Sequence, residues 1–198
     1  RDTNGNIMGT LFVDKLDPQS GTSLEIGSSG DTITIPSGAT ITNSGTATGF
    51  GESNTPAFAA TYSSAGSGLA NATLVKLSFD SELYDSGSVY DTSNYRFTPG
   101  VAGKYFIHAR TLISAASTSP NQGRIAIYKN GSMFNYWRWT NTATISDFSM
   151  QISAFDTANT TDYYEAYIYQ SNTGSSTSFS INSDTSQVGL FMGYRITT

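Results

Sequence analysis

The stretch Phe134-Asn135-Tyr136-Trp137-Arg138-Trp139 contains both tryptophans of the chain. Side chains alternate along a strand, so Asn135, Trp137 and Trp139 would share one face and Phe134, Tyr136 and Arg138 the other. Flat aromatic faces match the apolar faces of sugar rings, and a guanidinium grips a carboxylate or sulfate through two parallel hydrogen bonds. Tyr136, Trp137, Arg138 and Trp139 are therefore the candidate ligand-binding residues. The competing account places one face in a core and the other in a subunit interface. The polar loops 114–122, 140–146, 172–178 and 182–186 are alternative recognition surfaces.

Catalysis has less to build on. Glycoside hydrolysis uses two carboxylates facing each other across about 5–10 Å. Asp147, Asp156, Asp162 and Glu165 fall in or beside candidate strands without forming an acid motif. A serine triad would have to use His108, the one histidine, and no Gly-x-Ser-x-Gly elbow surrounds any serine. The absence of cysteine excludes disulfides, thiol nucleophiles and thiolate metal sites. No phosphate-binding loop is present. The expectation is a protein without catalytic residues and without a cofactor. Metal is left unassigned: Asp80, Asp85, Asp91 and Asp184 stand in loops, but no local motif chooses between them and an ordinary turn role is the better reading of each.

The elements that must carry these residues follow from composition. Hydrophobic residues make up 37% of the 198, charged residues 13% and aromatic residues also 13%. Thr, Tyr and Phe suit pleated surfaces, while the good helix formers Leu, Glu, Lys and Arg are scarce. An all-β chain is expected. A net charge of −5 without a basic run argues against nucleic acid and anionic lipid. No apolar run approaches the roughly 20 residues that span a bilayer, so membrane insertion is not expected.

Residues 8–49 are rich in Gly, Ser and Thr, and their apolar residues come in pairs two apart: Leu11 with Val13, Leu24 with Ile26, Ile33 with Ile35, Ala39 with Ile41. Such pairs put two side chains on one face of a short strand. Turn signals separate them, among them Ser29-Gly30-Asp31 and Pro36-Ser37-Gly38. The segment is either a linker or a run of short strands that gains a core only when several copies wind together. Residues 1–7 fit neither regime and read as a tag or an upstream remnant. Beyond Phe50, strands are expected at 57–62, 73–79, 96–98, 103–112, 123–129, 132–140, 147–155, 162–169, 179–181 and 187–196, with Asn130-Gly131 as a hairpin turn. Several carry apolar residues on both faces. In 162–169, Tyr164, Ala166 and Ile168 oppose Tyr163, Tyr167 and Tyr169, and a second aromatic face implies a partner. Tyr163, Tyr167 and Tyr169 are the candidate interface residues of a homo-oligomer.

Phe79, Asp85, Tyr90, Phe97, Gly103 and Tyr105 follow the spacing Phe-x5-Asp-x4-Tyr-x6-Phe-x5-Gly-x-Tyr. This fold signature resembles that of the globular head of complement component 1q and its relatives, over about residues 56–196. Pro56-Ala57-Phe58-Ala59, Ile127-Tyr128-Lys129-Asn130-Gly131 and Gly189-Leu190-Phe191-Met192-Gly193-Tyr194 resemble the family's opening strand, central hairpin and closing strand. Ile107 and Ala109 stand where the family continues with aromatics. The resemblance implies a ten-stranded jelly roll, shared with tumour necrosis factor, that assembles as a homotrimer. Relatives often hold calcium near the trimer apex or axis, where threefold repetition turns one Asp into a ring; structural calcium is implied on that ground alone. Residues 8–49 are similar in wording to openings of tail-fibre and adhesin proteins of tailed phages, which form trimeric β-rich shafts.

The reading is thus a possible tag or remnant (1–7), a β-rich shaft or anchor (8–50) and a complement-1q-like jelly roll (51–198). The expected function is a trimeric virion appendage, a tail fibre that binds host-surface glycan or an outer-membrane protein. Its N-terminal segment would join other virion proteins. The alternatives are a capsid decoration or head fibre, and a fibre-borne polysaccharide depolymerase.

Overall fold

The computed structural model describes residues 15–18, 20–45, 54–114, 120–142, 147–172, 178–182 and 189–197, and the chain divides into two units, Arg1–Gly49 and Phe50–Thr198. The first unit has turns and no strand among its described residues. Gly30 and Gly38, with φ of 96° and 86°, occupy the third positions of turns closed by Asp31 N–H to Ser28 O and Ala39 N–H to Pro36 O. Positive φ at that position makes glycine the natural occupant. Leu16, Leu24, Ile26, Ile33, Ile35 and Ile41 are all exposed. The expected short strands are not formed in the single chain: a strand needs a hydrogen-bonded neighbour, and this segment offers itself none. Residues 1–7 and the Leu11–Val13 pair lie outside the described residues.

The second unit is a sandwich of two antiparallel sheets with no helix among its described residues. Thirteen strands are described: β1 (Ala57–Thr61), β2 (Gly66–Ala70), β3 (Leu74–Lys76), β4 (Ser81–Ser86), β5 (Tyr90–Asp91), β6 (Arg96–Phe97), β7 (Gly103–Ser114), β8 (Pro120–Lys129), β9 (Ser132–Thr140), β10 (Asp147–Ala158), β11 (Tyr164–Asn172), β12 (Ser178–Asn182) and β13 (Leu190–Thr197). Ten match the expected segments. The count of ten is corrected by β2, β4 and β5, whose Gly-rich, acidic or two-residue sequences carry no apolar alternation. In the first sheet β7 is central. It pairs along one edge with β10, and along the other with β13 and then β12. β1 and β4 extend beyond β13. In the second sheet β11 is central, flanked by β8 and then β9 on one side and by β3 and β6 on the other.

Burial along β7 alternates strictly, so Tyr105, Ile107, Ala109 and Ile113 enter the core while Phe106, His108 and Arg110 face outward. The spaced aromatics converge at one end of that core. Phe58 stacks on Tyr90 and Phe97 at 4.7 and 4.5 Å, Phe79 on Phe191 at 5.7 Å, and Phe97 meets Tyr105 edge-on at 5.9 Å. Burying a ring of this size contributes about 1.5–3 kcal/mol, and each pair adds about 1 kcal/mol. Tyr90 Oη donates to Phe79 O at 2.8 Å and Tyr105 Oη to Val101 O at 2.9 Å, so neither hydroxyl is stranded. Asp85 accepts Val89 N–H and Tyr90 N–H, both at 3.0 Å, closing the turn from β4 to β5. Gly103 is required by space: a Cβ there would lie 2.7 Å from Thr197 O.

Candidate functional site

Register decides what the aromatic stretch does. On β9, Asn135, Trp137 and Trp139 stand opposite Ile127, Ile125 and Gly123 of β8, so they face the opposing sheet. Trp139 is partly buried against the core: its indole lies over Gly123, where a Cβ would come within 2.6 Å of Nε1, and Phe148 meets it edge-on at 4.6 Å. Trp139, expected as a ligand contact, is placed by the structure partly buried against the core, where a glycine on the partner strand makes room for its ring. Asn135 Nδ2 donates to Ser153 O at 3.3 Å. Trp137 is 46% exposed despite facing inward, because β9 is the last strand of its sheet.

Tyr136 and Arg138 stand opposite Ala126 and Arg124, on the outward face. Tyr136 is 52% exposed and Arg138 is exposed. Phe134, also exposed, is left without a cross-strand partner where the register shifts between Ile127 and Tyr128. Arg124 lies over two rings, with Cζ 5.0 Å from the centroid of Tyr169 and 5.9 Å from that of Tyr136. The structure thus adds Arg124 and Tyr169 to the outward pair. Their proximity depends on the β11-β8-β9 register, which no local pattern announces.

Tyr163, Tyr167 and Tyr169 also lie on this outward face, each half-buried within its own chain. The Arg96 guanidinium sits 3.8 Å over Tyr163. Tyr167 packs on Tyr128 at 4.3 Å and donates its hydroxyl to Glu165 Oε2 at 3.3 Å. Glu165 is only 3% exposed. Its Oε1 accepts Lys76 Nζ at 2.7 Å, Arg96 Nε at 3.0 Å and Arg96 Nη2 at 2.8 Å. Burial pushes this carboxyl upward, but Lys76 and Arg96 outweigh it and hold the pKa below the ordinary value.

The other acids are engaged as well. Lys129 Nζ bridges Asp156 Oδ2 at 2.6 Å and Asp162 Oδ2 at 3.0 Å, and Tyr164 Oη donates to Asp156 at 2.6 Å. Burial opposes the charge on Lys129, but its two carboxylates prevail and raise its pKa. Burial opposes ionisation of Asp162 too, yet hydrogen bonds from Asn130, Asn159 N–H and Lys129 lower its pKa. Asp147 is exposed at the start of β10. His108 Nδ1 and Ser153 Oγ are 2.9 Å apart across the β7–β10 ladder, and burial followed by Arg110 lowers the imidazole pKa.

Of the loop aspartates, Asp80 accepts Ser63 N–H and Oγ–H, both at 2.6 Å. Asp91 accepts Ser93 N–H, Asn94 N–H and Asn94 Nδ2. Asp184 lies outside the described residues, as do 115–119, 143–146, 173–177 and 183–188 of the candidate recognition loops. No group of three or more His, Cys, Asp or Glu is arranged to hold a metal among the described residues. No described helix is long and apolar enough to cross a membrane.

On the face of the first sheet, Phe155 is 71% exposed and forms a cluster with Phe106 and, through it, Tyr194, at centroid distances of 5.3 and 5.4 Å. Phe106 is legible in the sequence, where Tyr105, Ile107 and Ala109 alternate with Phe106 and His108. Phe155 escaped because its neighbours along that face of β10 are Ser149, Gln151 and Ser153.

No family model matches the sequence, and neither does any curated protein. Among solved structures, the globular domain of zebrafish complement 1qA protein is similar in fold, with a TM-score of 0.50 and 13% identity. The match covers 71% of this chain and 97% of that one. The likeness is one of fold, a complement-1q-type jelly roll, and agrees with the convergence of Phe79, Tyr90, Phe97 and Tyr105 in one core.

Proposed function

We propose that this chain is a trimeric virion appendage of a tailed phage, a tail fibre or receptor-binding protein whose jelly roll attaches to host-surface glycan without catalysis. The observation that carries the reading is the exposure of β9. An edge strand displays Phe134, Tyr136, Trp137 and Arg138 beside a core that is complete without them. Single exposed apolar residues are ordinary on a protein surface; a contiguous aromatic strand ending in a guanidinium suits a sugar. The exposed Leu and Ile pairs of residues 16–41 support a shaft in which three chains cover one another and join other virion proteins. The appendage faces outward from the particle and neither enters a membrane nor binds nucleic acid. Three modest sites on one rigid trimer gain avidity for a repetitive polysaccharide. An outer-membrane protein is the rival receptor, and calcium on the threefold axis would be structural.

The test is adsorption of the fluorescently labelled full chain to a panel of bacterial cells, with and without prior removal of surface polysaccharide. Glycan-dependent labelling that falls in Tyr136→Ala and Trp137→Ala is expected. Labelling that survives polysaccharide removal would move the receptor to protein. Binding confined to purified phage capsids would make the chain a decoration. Release of reducing sugar would make it a depolymerase.

A further inference from the structure

Arg124 and Arg138 stand directly opposite each other on β8 and β9, on the outward face. Like charges in that relation repel and destabilise the strand pair. Nothing described relieves them. The ion pairs among the described residues join Lys15 to Asp17, Lys76 and Arg96 to Glu165, and Lys129 to Asp156 and Asp162. Glu165, the carboxylate on the same face of β11, is occupied by its own two cations. Arg124 Nε is shut off from solvent without a hydrogen-bond partner. Tyr169 and Tyr136 flank the Arg124 guanidinium and hold it on an aromatic floor. A chain of net charge −5 therefore places two arginines at directly opposed positions of one face, one of them over tyrosine rings, with no ion pair to either among the described residues.

We propose that this face is a subsite for a sugar-borne oxyanion (sulfate, carboxylate or phosphate) bridged by Arg124 and Arg138, with Tyr136 and Tyr169 against the sugar ring. The proposal rests on the glycan-binding reading above and specifies its ligand as acidic. An oxyanion between the two groups removes their repulsion and accepts charge-assisted hydrogen bonds from both, so binding draws on a strain already present in the free protein. Two cations in an acidic chain do not form the track that a nucleic-acid backbone requires, which favours a compact charged sugar.

Matched probes test this on the full chain: dextran sulfate, carboxymethyl dextran, dextran phosphate and unmodified dextran, compared by biolayer interferometry at low salt. At least one charged dextran is expected to bind at least tenfold more tightly than the unmodified polymer, about the worth of one charge-assisted hydrogen bond, and which one binds identifies the oxyanion. Arg124→Gln and Arg138→Gln should each weaken that binding about tenfold. Arg138→Glu should abolish it while raising the melting temperature, since Glu opposite Arg124 turns repulsion into attraction. That opposed response excludes misfolding as the cause of lost binding. Equal affinity for charged and unmodified dextran, or charged-dextran binding that persists in Arg138→Glu, would overturn the proposal. So would an oligonucleotide that binds as tightly as the charged dextran. If cells are labelled through glycan and the arginine variants label them equally well, this proposal fails while the glycan reading stands. If charged dextran binds through the arginines but no cell is labelled, the reverse holds.

Discussion

Glu165 lies on the outer face of the second sheet, where a carboxylate would ordinarily meet water, yet Lys76, Arg96 and the neighbouring tyrosines enclose it. Burying a charge is costly unless it is paired, and this one accepts three charge-assisted hydrogen bonds. Glu165→Gln removes the charge while two cations remain. Because Lys76 and Arg96 are partly exposed and can rehydrate, the expected loss at neutral pH is about 3 kcal/mol, the low end for breaking a buried pair. The pH dependence follows from the direction of the shift. With the folded-state pKa below the ordinary 4.5, the carboxylate's contribution is complete above that pH and is lost as pH falls through the folded-state value. Urea titrations from pH 7 down to pH 3 should show the wild type losing its advantage over Glu165→Gln across that window. A constant difference between the two proteins throughout would mean that the carboxylate is not stabilised by its cations.

The hairpin joining β8 to β9, together with the one-residue shift of register between Ile127 and Tyr128, sets the register on which the outward site depends. Asn130 and Gly131 adopt φ of 53° and 76°, the left-handed pair that matches the twist of the flanking strands. Asn130 is held further by Asp162 and by Tyr163 N–H. Gly131→Ala places a Cβ in the left-handed region, 3.4 Å from Tyr163 Oη, at a cost of about 1–2 kcal/mol. Its melting temperature should fall by a few degrees, as read by circular dichroism, without loss of the β spectrum. This element was legible because Asn-Gly between two apolar runs has one dominant solution. The alternation of β7 and the two-faced character of β11 were legible for a similar reason: period two is written locally. β2 and β4 were not, because Gly66-Ser67-Gly68 carries no face and Leu83-Tyr84 lie on an exposed edge, where nothing enforces alternation. The site divides the same way. Tyr136 and Arg138 could be placed on one face from spacing alone. Arg124 joins them only through a pairing between residues 14 positions apart, and Trp139 packs partly buried against the core because Gly123 leaves room for its ring.

At the scale of the molecule, two apolar surfaces are exposed among the described residues. In the first unit, apolar residues spaced two apart are exposed and no strand forms among the described residues, so one copy buries too little there to hold itself together. In the second, the core is closed, yet Phe155, Phe106 and Tyr194 form an aromatic cluster on the outside of the first sheet. If both surfaces are covered by copies of this chain, light scattering should give three times 21.1 kDa for the full chain. A chain beginning at Phe50 should likewise give three times its own mass. Phe155→Asp in that shorter chain puts a charge into the cluster beside Phe106 and should yield monomers with unchanged β content, because Phe155 contributes little to its own core. A trimer that survives Phe155→Asp would transfer assembly to Tyr163, Tyr167 and Tyr169 on the opposite face. Trimers only in the full chain would transfer it to the first unit, where the paired Leu and Ile side chains would supply the buried area. A monomer in every case would remove the avidity on which weak glycan sites depend, and a single β9 surface would then have to bind its receptor unaided.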